Sequence, residues 1–365
     1  MINVCIVGAG IGAAHLAGYR ALPDRFKVTH ICDLNTGRAS ALAGCDIAVT
    51  DDLAAMLRDP EVNLIDICLP PHLHFQACMD ALDAGKAVIC EKPLVASLRE
   101  ADLLADKVAQ TGGFLSPVFQ YRFGPGTAQL RALMDAGLAG TCYAGTLETH
   151  WDRPASYYDI DWRGTWAGES GGAILGHAIH IHDMLSWLLG PVARVYADVA
   201  TRVHDIEVED CAALSLRMQS GAVITSSVTL GCAENISRLR LMFEGFTVES
   251  DHAPYAMAEN AWSFMARAPT TQGQIDAVLA GVSAPKPGYA GMFDAVADAL
   301  NKAPTKAPTK APAKAPAGQP GNEVTLQDAR RSLEFVTAIY ASGRSGAAVD
   351  LPLGSEHRMY AGWLP

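Results

Sequence analysis

The sequence predicts an α/β chain of two domains: a parallel sheet wound with helices on both faces, then an α+β domain with a large, mostly antiparallel open sheet. Three observations carry this. Strand-like and helix-like stretches alternate as far as Gln120, the strands there are almost continuously apolar, and from Gly140 to Glu249 strands follow one another with turn residues between them. At 365 residues the chain is long enough for each domain to bury its own core.

In order along the chain, Ile2–Val7, Lys27–Cys32, Leu64–Cys68, Ala87–Cys90 and Phe114–Phe119 read as buried strands. Helical patterns lie between them near Ile11–Arg20, Leu53–Arg58, His72–Ala84 and Leu98–Gln110. The second set of strands is Tyr143–Thr149, Ala193–Thr201, Cys211–Met218, Ala222–Leu230, Arg238–Phe243 and Thr247–Ser250. A helix over about Ala178–Leu189 interrupts them and stops at Gly190-Pro191. Gln219-Ser220-Gly221 and Glu244-Gly245 predict antiparallel hairpins. The expected domains are 1–121 and 122–365, the second carrying a Lys/Ala/Pro low-complexity insertion at 302–321 between two final helices.

The composition excludes several classes of function. Half the residues are hydrophobic (50%) and 18% are charged, as in a globular protein. A net charge of -11 offers no basic field for a phosphate backbone, so no nucleic-acid partner is expected. No apolar run is long enough for a membrane partner. Met1 to Arg20 reads as a strand entering a helix rather than a signal peptide. The 9 cysteines are scattered without a CxxC, which fits a reduced, cytoplasmic protein.

Gly8-Ala9-Gly10-Ile11-Gly12-Ala13 follows the first strand and opens a helix. Gly8 permits the tight turn, Gly10 lets a pyrophosphate approach the backbone, and Ala13 is small enough for close helix–strand packing. The phosphates would sit at the helix N-terminus. Asp33 ends the second strand, where an acidic residue binds the adenosine ribose hydroxyls, although Asp also caps helices and one follows at Thr36–Leu42. The Asp33 charge predicts NAD over NADP, since it repels a 2′-phosphate. Arg38 could soften that preference but is placed as a solvated helix residue.

Glu91-Lys92-Pro93 closes Ala87–Cys90, putting Lys92 at the carboxyl edge of the parallel sheet where ligands bind. Further on, Gly171-Gly172 leads into His177, His180 and Asp183, spaced by three along a helix. An imidazole there can take a hydroxyl proton as hydride leaves the same carbon. The same three side chains could bind zinc, but no fourth ligand is visible and hydride transfer needs no metal, so none is expected.

Together with Leu69-Pro70-Pro71-His72-Leu73-His74 and Trp162-Arg163-Gly164-Thr165-Trp166, these motifs in this order resemble the glucose–fructose oxidoreductase / inositol dehydrogenase (Gfo/Idh/MocA) family over most of the chain. The resemblance implies a Rossmann first domain, a Lys92–Pro93 bond that is often cis, and a second domain whose open sheet covers the substrate and often forms a dimer contact. It implies that Lys92 holds the reacting oxygen and His180 is general acid/base. Leu69, Pro70, His74 and Glu91 would line the cofactor, and Tyr121, Arg122, Trp162 and Arg163 would face nicotinamide or substrate, with His177 and Asp183 beside them. Many sugar dehydrogenases of the family carry an Asp four residues before the catalytic His, where this chain has Gly176.

The expected activity is NAD-dependent dehydrogenation of a sugar, polyol or sugar derivative by a homodimer or homotetramer. The alternatives are an NAD-dependent glycosidase of the same fold and a non-catalytic NAD-binding regulator. Glu148, His150 and Asp152 share one strand face, which is either part of a sugar site or a wet or subunit-contact surface.

Overall fold

The computed structural model describes residues 1–302 and 323–365, so beyond Lys302 the expected insertion lies outside the described residues. Two compact units interleave along the chain. One comprises Met1–Val95, Glu100–Val118 and the described part of Tyr289–Ala329; the other comprises Ala96–Arg99, Phe119–Gly288 and Arg330–Pro365.

The first unit holds strands β1 (Ile2–Val7), β2 (Phe26–Cys32), β3 (Ala48–Thr50), β4 (Leu64–Ile67), β5 (Ala87–Cys90) and β6 (Leu115–Pro117). They form one parallel sheet in the order β3-β2-β1-β4-β5-β6. Chain order reverses between β1 and β4, which makes their carboxyl ends the crevice where open α/β sheets bind ligands. Strand β3 was not among the expected strands, because Ala-Val-Thr is too short to register as an apolar run.

The helix Gly12–Arg20 returns against the sheet. The close packing expected at Ala13 is made instead by Gly12. A Cβ there would lie 2.8 Å from Ile6 Cγ2, whereas Ala13 is exposed. On the same helix Tyr19 stacks on Phe293 of helix Gly288–Lys302, with centroids 4.1 Å apart.

The second unit contains β7 (Cys142–Asp152), β8 (Val192–Ala200), β9 (Cys211–Met218), β10 (Val223–Thr229), β11 (Gly231–Phe243), β12 (Phe246–Glu249), β13 (Ser263–Ala266) and β14 (Val349–Asp350). Their order is β13-β12-β11-β7-β10-β9-β8-β14. All neighbours are antiparallel except β7 and β10, and both expected hairpins form. The short strands β13 and β14 were not expected.

Burial alternates along β7, β9 and β10 with the period of two that a one-sided sheet requires. Leu147, Leu216, Ile224 and Leu239 point inward and are buried. The helix Ile179–Leu189 covers this inner face, where His182 Nε2 lies 3.0 Å from Ser226 Oγ. Glu148 and His150 occupy the outer face. Glu148 pairs with Arg238 at 3.5 Å, and His150 Nε2 lies 2.7 Å from Ser227 Oγ. This strand face is therefore turned away from Trp151, which points inward beside His177. Among the described residues no helix is long and apolar enough to cross a membrane.

Candidate active site

The glycine turn follows β1. Gly8 has φ +107°, and a Cβ on it would lie 2.4 Å from the Cys68 carbonyl oxygen, so only glycine fits between the ends of β1 and β4. Gly10 is different: it is exposed, and no heavy atom lies within 4 Å of its Cβ position. That open approach, together with exposed Ile11 at the helix start, is what a bound pyrophosphate requires.

Asp33 directly follows β2 and is 7% exposed. Its Oδ2 accepts the Ala9 N–H at 2.7 Å, which ties the glycine turn to the neighbouring strand. Its Oδ1 accepts the Asn35 N–H at 2.8 Å, and Arg38 Nη2 donates to both oxygens at 3.0 and 2.8 Å. Burial works against the charge, but these donors outweigh it and hold the carboxyl below the usual carboxylate range. Asp33 is not the helix cap: Asn35 caps Thr36–Ala43 by accepting the Arg38 N–H. Arg38, expected as an ordinary solvated residue, has an exposed stem whose head neutralises Asp33. The open glycine turn and this carboxylate fit a dinucleotide.

At the carboxyl ends of β4 and β5, Leu69 and Pro70 are partly exposed. His74 is buried, with Nδ1 2.7 Å from the Pro93 carbonyl and Nε2 2.8 Å from that of Leu69. Burial lowers its pKa and favours the neutral ring, which donates its single N–H to one of these carbonyls and lies between the two loops. The Lys92–Pro93 bond is cis.

Glu91 is likewise turned inward. Its Oε1 lies 3.0 Å from His15 Nε2 and accepts the Tyr289 hydroxyl at 3.1 Å, while Oε2 accepts the Lys92 N–H at 2.9 Å. His15 Nδ1 lies 2.8 Å from Asp66. Burial opposes a charge on His15, but the Asp66 carboxylate outweighs it and pushes the imidazole well above its ordinary value. The sequence reading missed His15, Asp66 and Tyr289, which support Lys92 through Glu91. His15, Asp66 and Cys68 also have ligand atoms within 4.8 Å of one another, and burial pushes the Cys68 thiol up to about 12.

In the second unit the short turn Gln120–Arg122 runs beside the helix Ile179–Leu189. The Tyr121 ring stacks on His180 with centroids 4.7 Å apart and planes 15° from parallel, and Phe119 meets the same imidazole edge-on at 6.4 Å. Arg122 forms a bidentate pair with Asp183, Nε to Oδ2 at 2.7 Å and Nη2 to Oδ1 at 2.6 Å, both side chains buried. Ser332 donates to Asp183 Oδ1 at 3.2 Å. Arg122 and Asp183, both expected at the ligand, are paired with each other.

His177 sits in a π-helical turn, Ile174–Ala178, ahead of that helix. Trp151 meets its ring edge-on at 5.0 Å, and Arg153 Nε donates to its Nε2 at 3.2 Å. Trp162 and Tyr157 flank the Arg163 guanidinium at 4.5 and 4.0 Å, and Glu169 pairs with Arg163 at 3.3 Å. No heavy atom lies within 4 Å of the Gly176 Cβ position, so a side chain there would meet no steric barrier.

Beneath the double glycine lies Glu209. It is buried, and it accepts the N–H groups of Gly172 and Ile174 at 3.0 and 2.9 Å and the Tyr340 hydroxyl at 3.0 Å. A Cβ on Gly172 would lie 1.8 Å from the Glu209 carbonyl oxygen. Gly172 is required by this contact, whereas a Cβ on Gly171 would meet the Tyr340 hydroxyl, and no local pattern announced Glu209.

The family model described as "Oxidoreductase family, NAD-binding Rossmann fold" matches residues 2–119, and the "GFO/IDH/MocA C-terminal domain" matches residues 127–248. Oxidoreductase YrbE of Bacillus subtilis is 30% identical over 60% of this chain and 64% of its own length, just under two thirds of that protein. Inositol 2-dehydrogenase 2 of Paenarthrobacter aurescens is 30% identical over 63% of this chain and 69% of its own. Among solved structures, the WlbA dehydrogenase of Bordetella pertussis in complex with NADH and UDP-GlcNAcA superposes with a TM-score of 0.81 at 26% identity, covering 97% of this chain and 99% of that one. Its order of strands, its glycine turn and these matches to both domains make this chain a member of the Gfo/Idh/MocA oxidoreductase family, with an NAD-binding Rossmann domain at its N-terminus.

Proposed function

We propose that this chain is an NAD-dependent dehydrogenase that moves a hydride between a carbon bearing a hydroxyl group, on a sugar, polyol or sugar derivative, and the nicotinamide. The observation that carries the reading is the His180 imidazole held flat on Tyr121. Relatives named inositol 2-dehydrogenase and a WlbA dehydrogenase bound to NADH and UDP-GlcNAcA support it.

Bound NAD supplies the hydride acceptor. The turn Gly8–Ala13 and Asp33 hold its pyrophosphate and ribose, and Leu69 and Pro70 form the wall of the crevice. Lys92 holds the reacting oxygen with its ammonium group, and His180 takes the hydroxyl proton. Glu91 and His74 fix the backbone around Lys92, while Arg122 and Asp183 fix the turn that carries Tyr121. The ring of Trp162 offers a face for sugar C–H groups. Lys92 polarises the oxygen without a metal ion.

The outer face of the second sheet carries Tyr196 and Val223, each about half exposed, and we read it as the self-association surface of a dimer or tetramer. The cysteines are free, and most are buried, which suits a reducing cytoplasm.

The test is NADH formation, followed by absorbance, across sugars, polyols and inositols with NAD and with NADP. Oxidation of one compound class with NAD, lowered at least about a hundredfold in Lys92→Ala while NAD still binds, is the expected result. Protein that binds NAD yet oxidises nothing on the panel would sink the dehydrogenase reading.

A further inference from the structure

Two arginines lie against the ring of Tyr157, and only one of them has a counter-charge. Arg163, 4.0 Å from the ring centroid, pairs with Glu169 at 3.3 Å. Arg153, 5.1 Å from the same ring, has no carboxylate partner among the described residues. Of its five N–H donors, Nε is given to His177 Nε2 and Nη1 reaches the Asp152 carbonyl at 3.2 Å, neither of them a carboxylate. The Tyr157 hydroxyl takes a further hydrogen bond from this guanidinium, and the side chain is only partly buried, so donors remain on it that no carboxylate takes.

The guanidinium is nonetheless held in place. Trp151 lies under it at 4.9 Å and Tyr255 beside it at 5.6 Å. Tyr255 has φ +62°, a left-handed conformation unfavourable for a residue with a Cβ, and its ring packs on Trp151 at 4.2 Å. The chain thus accepts backbone strain to complete an aromatic box around one unpaired charge. Such a box is a rigid receptor for a planar anion, because the donor fork is already oriented.

Its position says what it would receive. Arg153 is bonded to His177, which precedes His180 by about one helical turn, or about 5 Å. Across from it, the Arg153 charge reaches the Tyr121 phenol that stacks on His180, and lowers that phenol's pKa against the larger effect of burial. Gly176, next to His177, adds no negative charge of its own and leaves its Cβ space open.

We propose that Arg153 is a specificity-determining residue that binds a carboxylate on the substrate, so that the preferred substrates are sugar acids oxidised a few carbons from that carboxylate. This rests on the dehydrogenase reading for the reaction, though not for the anion site itself.

The test compares D-glucuronate, D-galacturonate and D-mannuronate with their parent hexoses, using initial rates of NADH formation in wild type, Arg153→Met and Arg153→Lys. At least one uronate should exceed its hexose in kcat/KM by about tenfold or more. That ratio should fall close to one in Arg153→Met, fall partly in Arg153→Lys, and shrink with added salt. Thermal melting separates a misfolded variant from one that has lost only the anion contact, and Arg153→Lys keeps the charge if Arg153→Met does not fold. Hexoses oxidised as well as the uronates, or a ratio unmoved by either variant, would overturn the proposal and leave the dehydrogenase reading intact. If no compound is oxidised, titration of the NAD-loaded protein with the same six sugars, read by tryptophan fluorescence, decides. Saturable binding of a uronate over its hexose, lost in Arg153→Met, keeps the anion site while the dehydrogenase reading fails; equal binding or none overturns the anion site too.

Discussion

Tyr121 lies flat against His180, 4.7 Å between centroids, and the next residue, Arg122, grips Asp183 one step further along the same helix. Two adjacent residues of one short turn therefore fix two residues spaced by three on a helix. The ion pair anchors the turn that carries the ring beneath the imidazole.

This gives a first prediction. His180→Asn keeps the size and removes the proton acceptor, and should lower kcat by about 10²–10⁴-fold with NAD affinity retained. Tyr121→Phe should cost little because the ring stays, whereas Tyr121→Ala should lower kcat substantially by freeing the imidazole. Steady-state kinetics with a parallel NAD titration distinguish these; equal effects of Phe and Ala at position 121 would refute the positioning role.

The ion pair itself should be expensive to break. Asp183→Ala leaves Arg122 buried without its counter-charge and should destabilise the protein by about 3–5 kcal/mol, read by urea unfolding. The double change Arg122→Met with Asp183→Leu should recover most of that loss, because neither charge is then left uncompensated. A double variant as unstable as Asp183→Ala alone would show that the turn needs the hydrogen bonds and not merely charge balance.

How much of this was legible in the sequence depends on how far apart the partners lie. The strand–glycine–helix–strand–acid order is local, so Gly8, Gly10 and Asp33 could be read directly, as could the two hairpins. The close-packing glycine was misplaced by one residue because spacing rules do not reveal which side chain faces Ile6. The Asp33 cap alternative fell to Asn35, two residues on, for the same reason. Glu209 beneath Gly172, and Glu91 spent on His15, join residues 37 and 76 positions apart, and no periodicity records such a meeting. The left-handed Tyr255 has no sequence mark at all.

Asp33 leads to a prediction about cofactor choice. Its carboxylate is held ionised by Ala9, Asn35 and Arg38, with the pKa lowered in the folded protein. A lowered folded pKa contributes stability above the unfolded value, and that stability is lost as pH falls through the folded value. NAD affinity should therefore stay flat on acidification to about pH 5, checked by fluorescence titration. Asp33→Ala should weaken NAD binding by about 10–100-fold and leave Arg38 unpaired for a 2′-phosphate, raising the ratio of NADP to NAD affinity. An unchanged ratio would remove Asp33 from cofactor selection.

Glu209 carries the last prediction. Burial pushes its carboxyl up to about 7, against the opposing N–H donors of Ile174 and Gly172 and the Tyr340 hydroxyl. The folded pKa is raised, so the folded protein holds this proton more tightly than the unfolded chain. As pH rises through the unfolded value of about 4.3, the unfolded chain releases its proton first and stability declines. The decline ends near pH 7, where the folded protein also releases it. Over that window this one group should cost about 4 kcal/mol, and Glu209→Gln, which cannot titrate, should flatten the decline. Urea unfolding of both proteins at intervals from pH 5 to 8 reads the difference. Because Glu209 holds the N–H groups at the head of the turn bearing His177, the same substitution should also raise KM more than it lowers kcat. Parallel stability curves for the two proteins would mean that Glu209 is ionised throughout, its charge carried by those three donors.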